Sequence, residues 1–577
     1  MKEYFQRKLS LTAIMLSGFV LSACSSNDKG SMQESEQSLK DIEVEIIASG
    51  ANIAGANGLA IGPDGNLYVT SVLGSTISVI EPESGEILKT LGVGEGVIGP
   101  DDVDFHNDGS YYWTSIMTGE VAGFDKDGNR IVAAQLTPGV NPITFSDDGR
   151  LFVSQCFFGT NLYEIDPDGQ QEARLISDEL GPGCGLNGMD WGPDNRLYGP
   201  RWFNQEVVSF DVDTNSMRTE MGGFNTPAAV KFDKNGKLHV LDTGAGVLYR
   251  IEDDKKIVVA TLSPGLDNFV IGKDGRFFVT SFTDGFVKRI NEDGSITELQ
   301  PGGMAHAGGI TFFQDNVVVA DLHAIRAYTK SGIEAFTQRN VLGTGVMGGA
   351  LNIASDGEDL ILTSWVDNDV RVWNQAEQQV KWRSSGLAAP VSAVRYEGLI
   401  AVAEHGKSRV ISLNKDGGVD SIFAEDLPAP TGLNVRDGQL FVSDRSLGKI
   451  LRIAQNGQRL SEPEIVAENL VSPEGFDFFD RKLVVIEADL GDVTMIDPSG
   501  DKSLLAKIPP GTQAASELQP PSQVFNGVAV DDNGNVYVPG ETNRALYKIS
   551  NPFYSAARLR CQRPIRFLSS IASIRDP

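Results

Sequence analysis

The chain has 577 residues, with 77 Asp and Glu against 49 Lys and Arg, and a formal net charge of −28. That balance excludes nucleic acid and an anionic lipid surface as partners and favours cationic ones, although the solubility of an exported protein accounts for much of it. Gly reaches 63 residues and no helical period persists for long, so the composition is that of an all-β, turn-rich protein.

Residues 1–24 read as a targeting segment. Lys2, Arg7 and Lys8 make a basic start, and Leu9–Ala23 is apolar but short for a bilayer span. Leu21-Ser22-Ala23-Cys24 resembles a bacterial lipobox, which implies that Cys24 becomes the lipidated first residue of the mature protein. The alternative is an ordinary signal peptide with an incidental Cys. Ser25 stands where an inner-membrane retention signal has an acidic residue, which points to the outer membrane or cell surface. No later run suits a transmembrane helix, so the lipid would be the sole membrane attachment. Residues 25–41 are polar and aperiodic and read as a flexible tether.

From Asn57 the chain repeats. NGLAIGPDGNLYVTSVLGSTISVIEPES holds two short apolar runs around a Pro-Asp-Gly turn, then a loop and an alternating run, with GEILKTL after it. Asp-Gly turns between such runs favour hairpins, so the unit is a four-stranded antiparallel sheet. Anchored on the residue ten before LYV, the units begin at Asn57, Asp101, Asn141, Asn187, Ala228, Asp267, Gly308, Leu351, Val391, Thr431, Glu474 and Asn526, with spacings of 39 to 52. FNGVAVDDNGNVYV is a close copy, whereas the Leu351 and Val391 units are degenerate. A four-stranded repeat of this period marks a β-propeller, and twelve repeats exceed one ring. The expectation is two tandem six-bladed propellers, over residues 42–299 and 300–550.

Closure of the rings is open on sequence. Ile42–Ala48 is a strand ahead of the first repeat, and the last repeat stops after its third strand, ALYKIS. We expect Ile42–Ala48 to complete blade six and Ser295–Leu299 to complete blade twelve. Alternatively each strand stays with its own repeat, leaving blade twelve one strand short. Residues 551–577 break the pattern with five Arg and Cys561, and no function is assigned to that tail.

The first strand of a blade lines the channel, and its first residue emerges at the same mouth as the end of the second strand. Five of the six ring-one anchors are Asn or Asp: Asn57, Asp101, Asn141, Asn187 and Asp267, with Asn268 beside the last. Oxygens converging on one axis suit calcium. Taken singly, each is as well explained as a cap on local backbone.

NGLAIGPDGNLYVTS, LNGMDWGPDNRLYGP and LDNFVIGKDGRFFVTS resemble the repeats of the senescence marker protein/gluconolactonase/luciferin-regenerating enzyme family and of the paraoxonases. The resemblance covers residues 50–300 and extends to NHL-type propellers without catalysis. It implies a six-bladed, calcium-dependent lactone or ester hydrolase, with the metal on Asn187, Asp267 and Asn268, then Asn57 and Asp101. The sequence departs from the paraoxonases in their histidine dyad, since ring one offers only His106, in a turn, and His239, within a strand. If it hydrolyses, calcium would polarise the carbonyl and Asp101 or Asp267 would take a proton from water. The competing expectation is a non-catalytic module binding a small molecule, glycan, peptide or protein.

Ring two differs. Its polar anchors are Thr431, Glu474 and Asn526, and its second strands end in Asp321, Glu404, Asp444 and Glu487, with His306, His323 and His405 nearby. Such a mouth suits a transition metal or basic ligand, or is a solvated rim. Gly343–Gly348 satisfies GxGxxG without a βαβ unit and is dismissed as a dinucleotide site. Cys156 and Cys184 fall near one mouth on neighbouring blades, so a disulfide is expected, with two buried thiols as the alternative.

Overall fold

The computed structural model describes residues 42–341, 349–509 and 525–553. Cys24, the tether, the Gly343–Gly348 run and the tail beyond residue 553 lie outside the described residues. The described chain forms twelve four-stranded antiparallel sheets, the blades expected from the repeats.

Each blade is apolar on both faces and must be covered twice. Ala60, Ile77 and Leu91 of blade one pack on Val103, Trp113 and Ala122 of blade two. The layering continues until Leu59 and Val69 of blade one meet Phe278, Val287 and Leu299 of blade six. The second ring closes in the same way, with Ile310, Val317 and Val319 of blade seven against Ala529, Tyr537 and Leu546 of blade twelve. Phe312 and Tyr537 meet edge to face there, with centroids 5.4 Å apart. Two closures make two six-bladed propellers, both within one compact unit.

A bulge recurs in the inner strands. Pairing to the second strand slips between Pro100 and Val103, Val140 and Ile143, and Leu266 and Phe269. A bulge leaves backbone groups outside the ladder, and a hydroxyl from the second strand collects them. Thr280 Oγ1 accepts from Asn268 N at 3.1 Å and donates to Asn57 O of blade one at 2.6 Å. Thr114 Oγ1 accepts from Asp102 N at 3.2 Å and donates to Asn141 O of blade three. In ring two, Ser443 Oγ accepts from Gly432 N at 2.8 Å and donates to Glu474 O at 2.6 Å. The hydroxyl near the end of LYVTS, YYWTS and FFVTS is therefore a latch between blades.

The strand closure corrects the expected exchange. Val44–Ala48 pairs with Leu546–Ile549 and completes blade twelve, while Ile296–Gln300 stays on Val287–Ile290 of blade six. The Asn291–Ser295 turn explains it, since Asn291 N donates to Ser295 O at 2.8 Å. That tight hairpin brings its strand back at minimal loop cost and fills the edge of blade six. The third strand of blade twelve is then covered by the N-terminal strand, which buries an edge that would otherwise be exposed. Ring one thus begins after the first strand, not at residue 42.

The rings meet through buried ions. The Arg326 side chain, 2% exposed, pairs with Asp321 of its own blade at 2.5 Å and with Asp284 of blade six at 2.8 Å. Arg326 Nη2 also donates to Thr283 O at 3.0 Å, and Arg339 pairs with Asp284 at 2.8 Å. Ala51 N donates to Met304 O at 2.9 Å, and Arg544 Nε to Ala51 O at 2.8 Å. Cys156 and Cys184, both fully buried, form a disulfide between blades three and four. No helix among the described residues is long and apolar enough to cross a membrane.

The latch is testable. Thr280→Val keeps the shape but strands Asn57 O and Asn268 N, so it should lower stability by about 1–3 kcal/mol. Thr280→Ser should retain most of it. Denaturant midpoints of the three proteins check this, and equal midpoints for Val and wild type would remove the latch from the account.

Candidate functional site

The ring-one anchors gather at one end of the channel. Asp267 of blade six, Asn57 of blade one and Asp101 of blade two come from consecutive blades, with Asn141 and Asn187 on blades three and four; blade five contributes only Ala228. Asn57, Asp101, Asn141 and Asn187 are buried, and Asp267 is half-buried. Their carbonyls are partly consumed by the latches, so the side chains carry the chemistry. Asn57 Oδ1 accepts from Val72 N at 3.0 Å, and Asn187 Oδ1 from Gly188 N at 3.0 Å.

Asp101 and Asp267 differ from the rest. Among the described residues, no hydrogen-bond donor or cation pairs with either carboxylate. Burial, then the negative charges of Asp267 and Asp102, push Asp101 well above the usual carboxylate range. Burial, then Asp102, lifts Asp267 to about 8. A buried and a half-buried carboxylate, each under the field of neighbouring negative charge and neither paired with a base, favour holding a proton or a cation.

Asn268, expected as a ligand, is turned into the wall. Its Nδ2 donates to Asp102 Oδ1 at 3.1 Å and its Oδ1 accepts from Phe269 N at 2.8 Å. The bond spans from blade six to blade two past Gly58, where any Cβ would fall on the Asp102 carboxylate. Sequence reasoning missed Asp102 because attention stopped at the anchor position. It is 3% exposed, and burial raises it to about 6 against the opposing pull of Lys231.

A further layer, three residues past the anchors, was also missed. Asp104 of blade two, Asp190 of blade four and Lys231 of blade five stand there in one register. Asp104 accepts from Phe105 N at 2.8 Å and Phe145 N at 3.1 Å, and Asp190 from Phe232 N at 2.7 Å. Burial raises both, Asp190 to about 6, and the Lys231 ammonium opposes the rise. Lys231 donates to Met189 O at 3.0 Å. It is the one basic residue in the inner strands of ring one, and that signal was available in the sequence.

The histidines lie elsewhere. His106 follows the inner strand at the other end of the channel and pairs with Asp108 at 2.8 Å. His239 is buried early in a second strand, against Phe277 and near Lys237 O.

Ring two does not assemble the site its sequence suggested. Asp321 accepts from Ala305 N and His306 N, and Asp444 from Ala429 N, Ser446 N and Leu447 N. Glu404 binds Ala388 N, Lys407 and Arg409, while Glu487 binds Val471 N and Thr494 Oγ1. These carboxylates fasten the loop that starts their own blade. Glu474 is held by Arg445 and by both nitrogens of Asn526. His405 Nδ1 lies 3.3 Å from Pro430 O, and His323 packs on Phe282 of ring one. Burial pushes His306 down to about 3 and His323 to about 4.

Among the described residues no three His, Cys, Asp or Glu side chains are arranged to hold a metal. A cation at the ring-one mouth therefore fits only as a mixed site, two carboxylates with amide oxygens of Asn57, Asn141 and Asn187, a donor set of calcium type.

The Beta-propeller repeat family model (SBBP) matches residues 524–548. Among curated proteins, no sequence match was found. Solved structures with similarity include virginiamycin B lyase from Staphylococcus aureus, at 14% identity over 49% of this chain and 96% of that one, with a TM-score of 0.36. A protein assigned as a gluconolactonase shares 10% identity over 45% and 94%, at 0.35. The extracellular domain of BT3049 from B. thetaiotaomicron, assigned to a hybrid two component system, shares 10% over 92% and 87%, at 0.32. These scores are too low for any ligand to be carried across.

The raised carboxylates set a pH signature. Asp101 and Asp267 bind protons more tightly folded than unfolded, so without divalent ions stability should fall as pH rises from about 4 towards 8. Asp267→Asn should flatten that slope and raise the midpoint at pH 8. Unfolding in chelator at several pH values checks it; a less stable Asn variant at pH 8 would mean that Asp267 is a conventional backbone cap.

Proposed function

We propose that this chain is an exported, lipid-anchored double propeller whose ring-one mouth binds a divalent cation, calcium by its donor chemistry, together with a small oxygen-rich ligand. Lactone or ester hydrolysis is the activity assigned to that mouth. The observation that supports the reading is the carboxylates of Asp101, buried, and Asp267, half-buried, both raised by desolvation and neighbouring negative charge and neither paired with a base. Asn57, Asn141 and Asn187 supply neutral oxygens around it. Bound there, a divalent ion would polarise a ligand carbonyl. Whichever of Asp101 and Asp267 is left unengaged would hold or accept a proton at its carboxylate, since neither histidine of ring one lies at this mouth. Asp102 and Asn268 act behind them, fixing the walls. The disulfide fits an exported protein, and Cys24 would carry the lipid.

A second reading keeps the cation and drops the chemistry. It is favoured by the positions of His106 and His239 at the far end of the channel, which leave the mouth without the general base of a histidine dyad. The rings would then present a small molecule, glycan or protein surface site.

Calorimetry of calcium into the full chain tests the proposal. Wild type should bind one ion in ring one and release close to one proton at pH 7, seen as a heat that varies with buffer. Asp267→Asn should lose the binding. Calcium-dependent lactone turnover lost in the same variant supports the hydrolase; binding without turnover selects the second reading. Absence of a calcium heat, or its persistence in Asp267→Asn, would refute both.

A further inference from the structure

Blade seven departs from the repeat at the corner where it meets ring one. Two residues before the anchor, ring one carries Gly55, Gly99, Gly139, Gly185 and Gly265, and blades nine and ten carry Ala389 and Ala429. The backbone at this position has one structural task, to meet the end of the second strand. Ala429 N donates to Asp444 at 3.0 Å, and Thr226 N of blade five to Asp242 at 2.9 Å. Blade seven places His306 there, and its N–H donates to Asp321 in the same way, at 2.5 Å. Alanine suffices for that task in blade ten, so the fold does not require the imidazole.

A second imidazole and a carboxamide stand beside it. His323 lies in the turn between Asn316–Asp321 and Ala324–Tyr328, two residues after Asp321. Asn340 follows the strand Glu334–Arg339, and its N–H donates to His323 O at 2.8 Å. All three residues are thus tied to one short segment, His306 through Asp321 and Asn340 through His323. The His323 imidazole is near enough for its charge to oppose protonation of His306. Phe282 of ring one closes the corner, with its ring centroid 5.0 Å from that of His323.

The side chains are buried and their polar atoms are unmet. His306, His323 and Asn340 are 4%, 6% and 2% exposed. His306 Nε2, His323 Nδ1 and both Oδ1 and Nδ2 of Asn340 have no hydrogen-bond partner. One such atom is costly, and four of them on three adjoining residues point to an occupant. Burial keeps both imidazoles neutral at pH 7, and the neutral ring is the form that binds a metal. Nitrogen donors of this kind select a late first-row ion over calcium, which takes oxygen.

We propose that His306 Nε2 and His323 Nδ1 bind one late first-row divalent ion, of the copper or zinc type, with Asn340 Oδ1 as the third donor. Among the described residues no third His, Cys, Asp or Glu belongs to the group. The remaining position is left to water or to a donor atom of a ligand. The site stands at the junction of the rings and is separate from the mouth that carries Asp101 and Asp267.

Electron paramagnetic resonance of the full chain with stoichiometric Cu2+, free thiols alkylated, tests the proposal. The spectrum should show two coordinated imidazole nitrogens, and excess calcium should not displace the ion. In calorimetry, His323→Gln should weaken copper binding by at least about tenfold, since loss of even a residue that only supports a metal ligand costs that much. His306→Ala should do the same, and it installs the residue of blades nine and ten, so it should fold; circular dichroism checks that. Asp267→Asn should leave copper binding unchanged. A spectrum without two imidazole nitrogens, or an affinity that neither histidine variant alters, would overturn the proposal and leave water as the partner of these atoms.

Discussion

The mouth of ring one depends on a hydroxyl that Thr70, Thr114 and Thr280 each donate from a second strand to the anchor carbonyl of the next blade. A bulge at the start of the inner strand frees an N–H in its own blade, and the anchor carbonyl of the next blade is left outside the ladder. One Thr or Ser on the second strand satisfies both, as Thr280 does for Asn268 N and Asn57 O. Because donor and acceptor lie on different blades, the latch sets the register between neighbours as well as satisfying buried groups. Asn57, Asp101 and Asn141 at the channel mouth inherit that register. Asp101, Asn141 and Asp267 can face one axis because their peptide groups are bound from behind.

Carboxylates serve three physical roles in this acidic chain, and separating them decides where function can lie. At the second-strand ends of ring two they accept from several backbone N–H groups, as Asp444 does, or from one backbone N–H and neighbouring side chains, as Glu404 and Glu487 do, and have little capacity left. Deeper in ring one, Asp102, Asp104 and Asp190 combine backbone acceptance with the field of Lys231. Asp101 and Asp267 at the mouth have neither compensation. Desolvation without a partner is the least stable condition for a carboxylate, and a fold that repeats its backbone so regularly has no structural need for it there.

The repeat period, the blade number, the anchor positions and the two cysteines were legible in the sequence, because each follows from local spacing. Strand closure was not, since it depends on which edge is left free after every hairpin has formed. The Asn291–Ser295 turn settled that locally, yet a fourth strand and an N-terminal strand look alike on paper. The role of Asn268 was misread for another reason. An Asp-Asn pair at a bulge presents two side chains, and only the absent Cβ of Gly58 reveals that the second one reaches Asp102. In ring two the acidic ends resembled a mouth in sequence but were consumed by backbone groups, a distinction that spacing does not carry.

The observed closure also orders events along the chain. Ring one is complete between its first blade and Ile296–Gln300, with no strand borrowed from elsewhere. Ring two needs Val44–Ala48 from before ring one and Leu546–Ile549 from the last blade. Its last sheet therefore cannot form until all of ring one lies between its partners. A folded ring one shortens that loop to the span between its own ends, which cuts the closure entropy of ring two. Arg326 strengthens the dependence, because its charge is buried between Asp321 of ring two and Asp284 of ring one. A buried ion of that kind tolerates the loss of neither partner, so the rings depend on one another at this contact, and the mouth carrying Asp101 and Asp267 belongs to the ring whose strands are all its own.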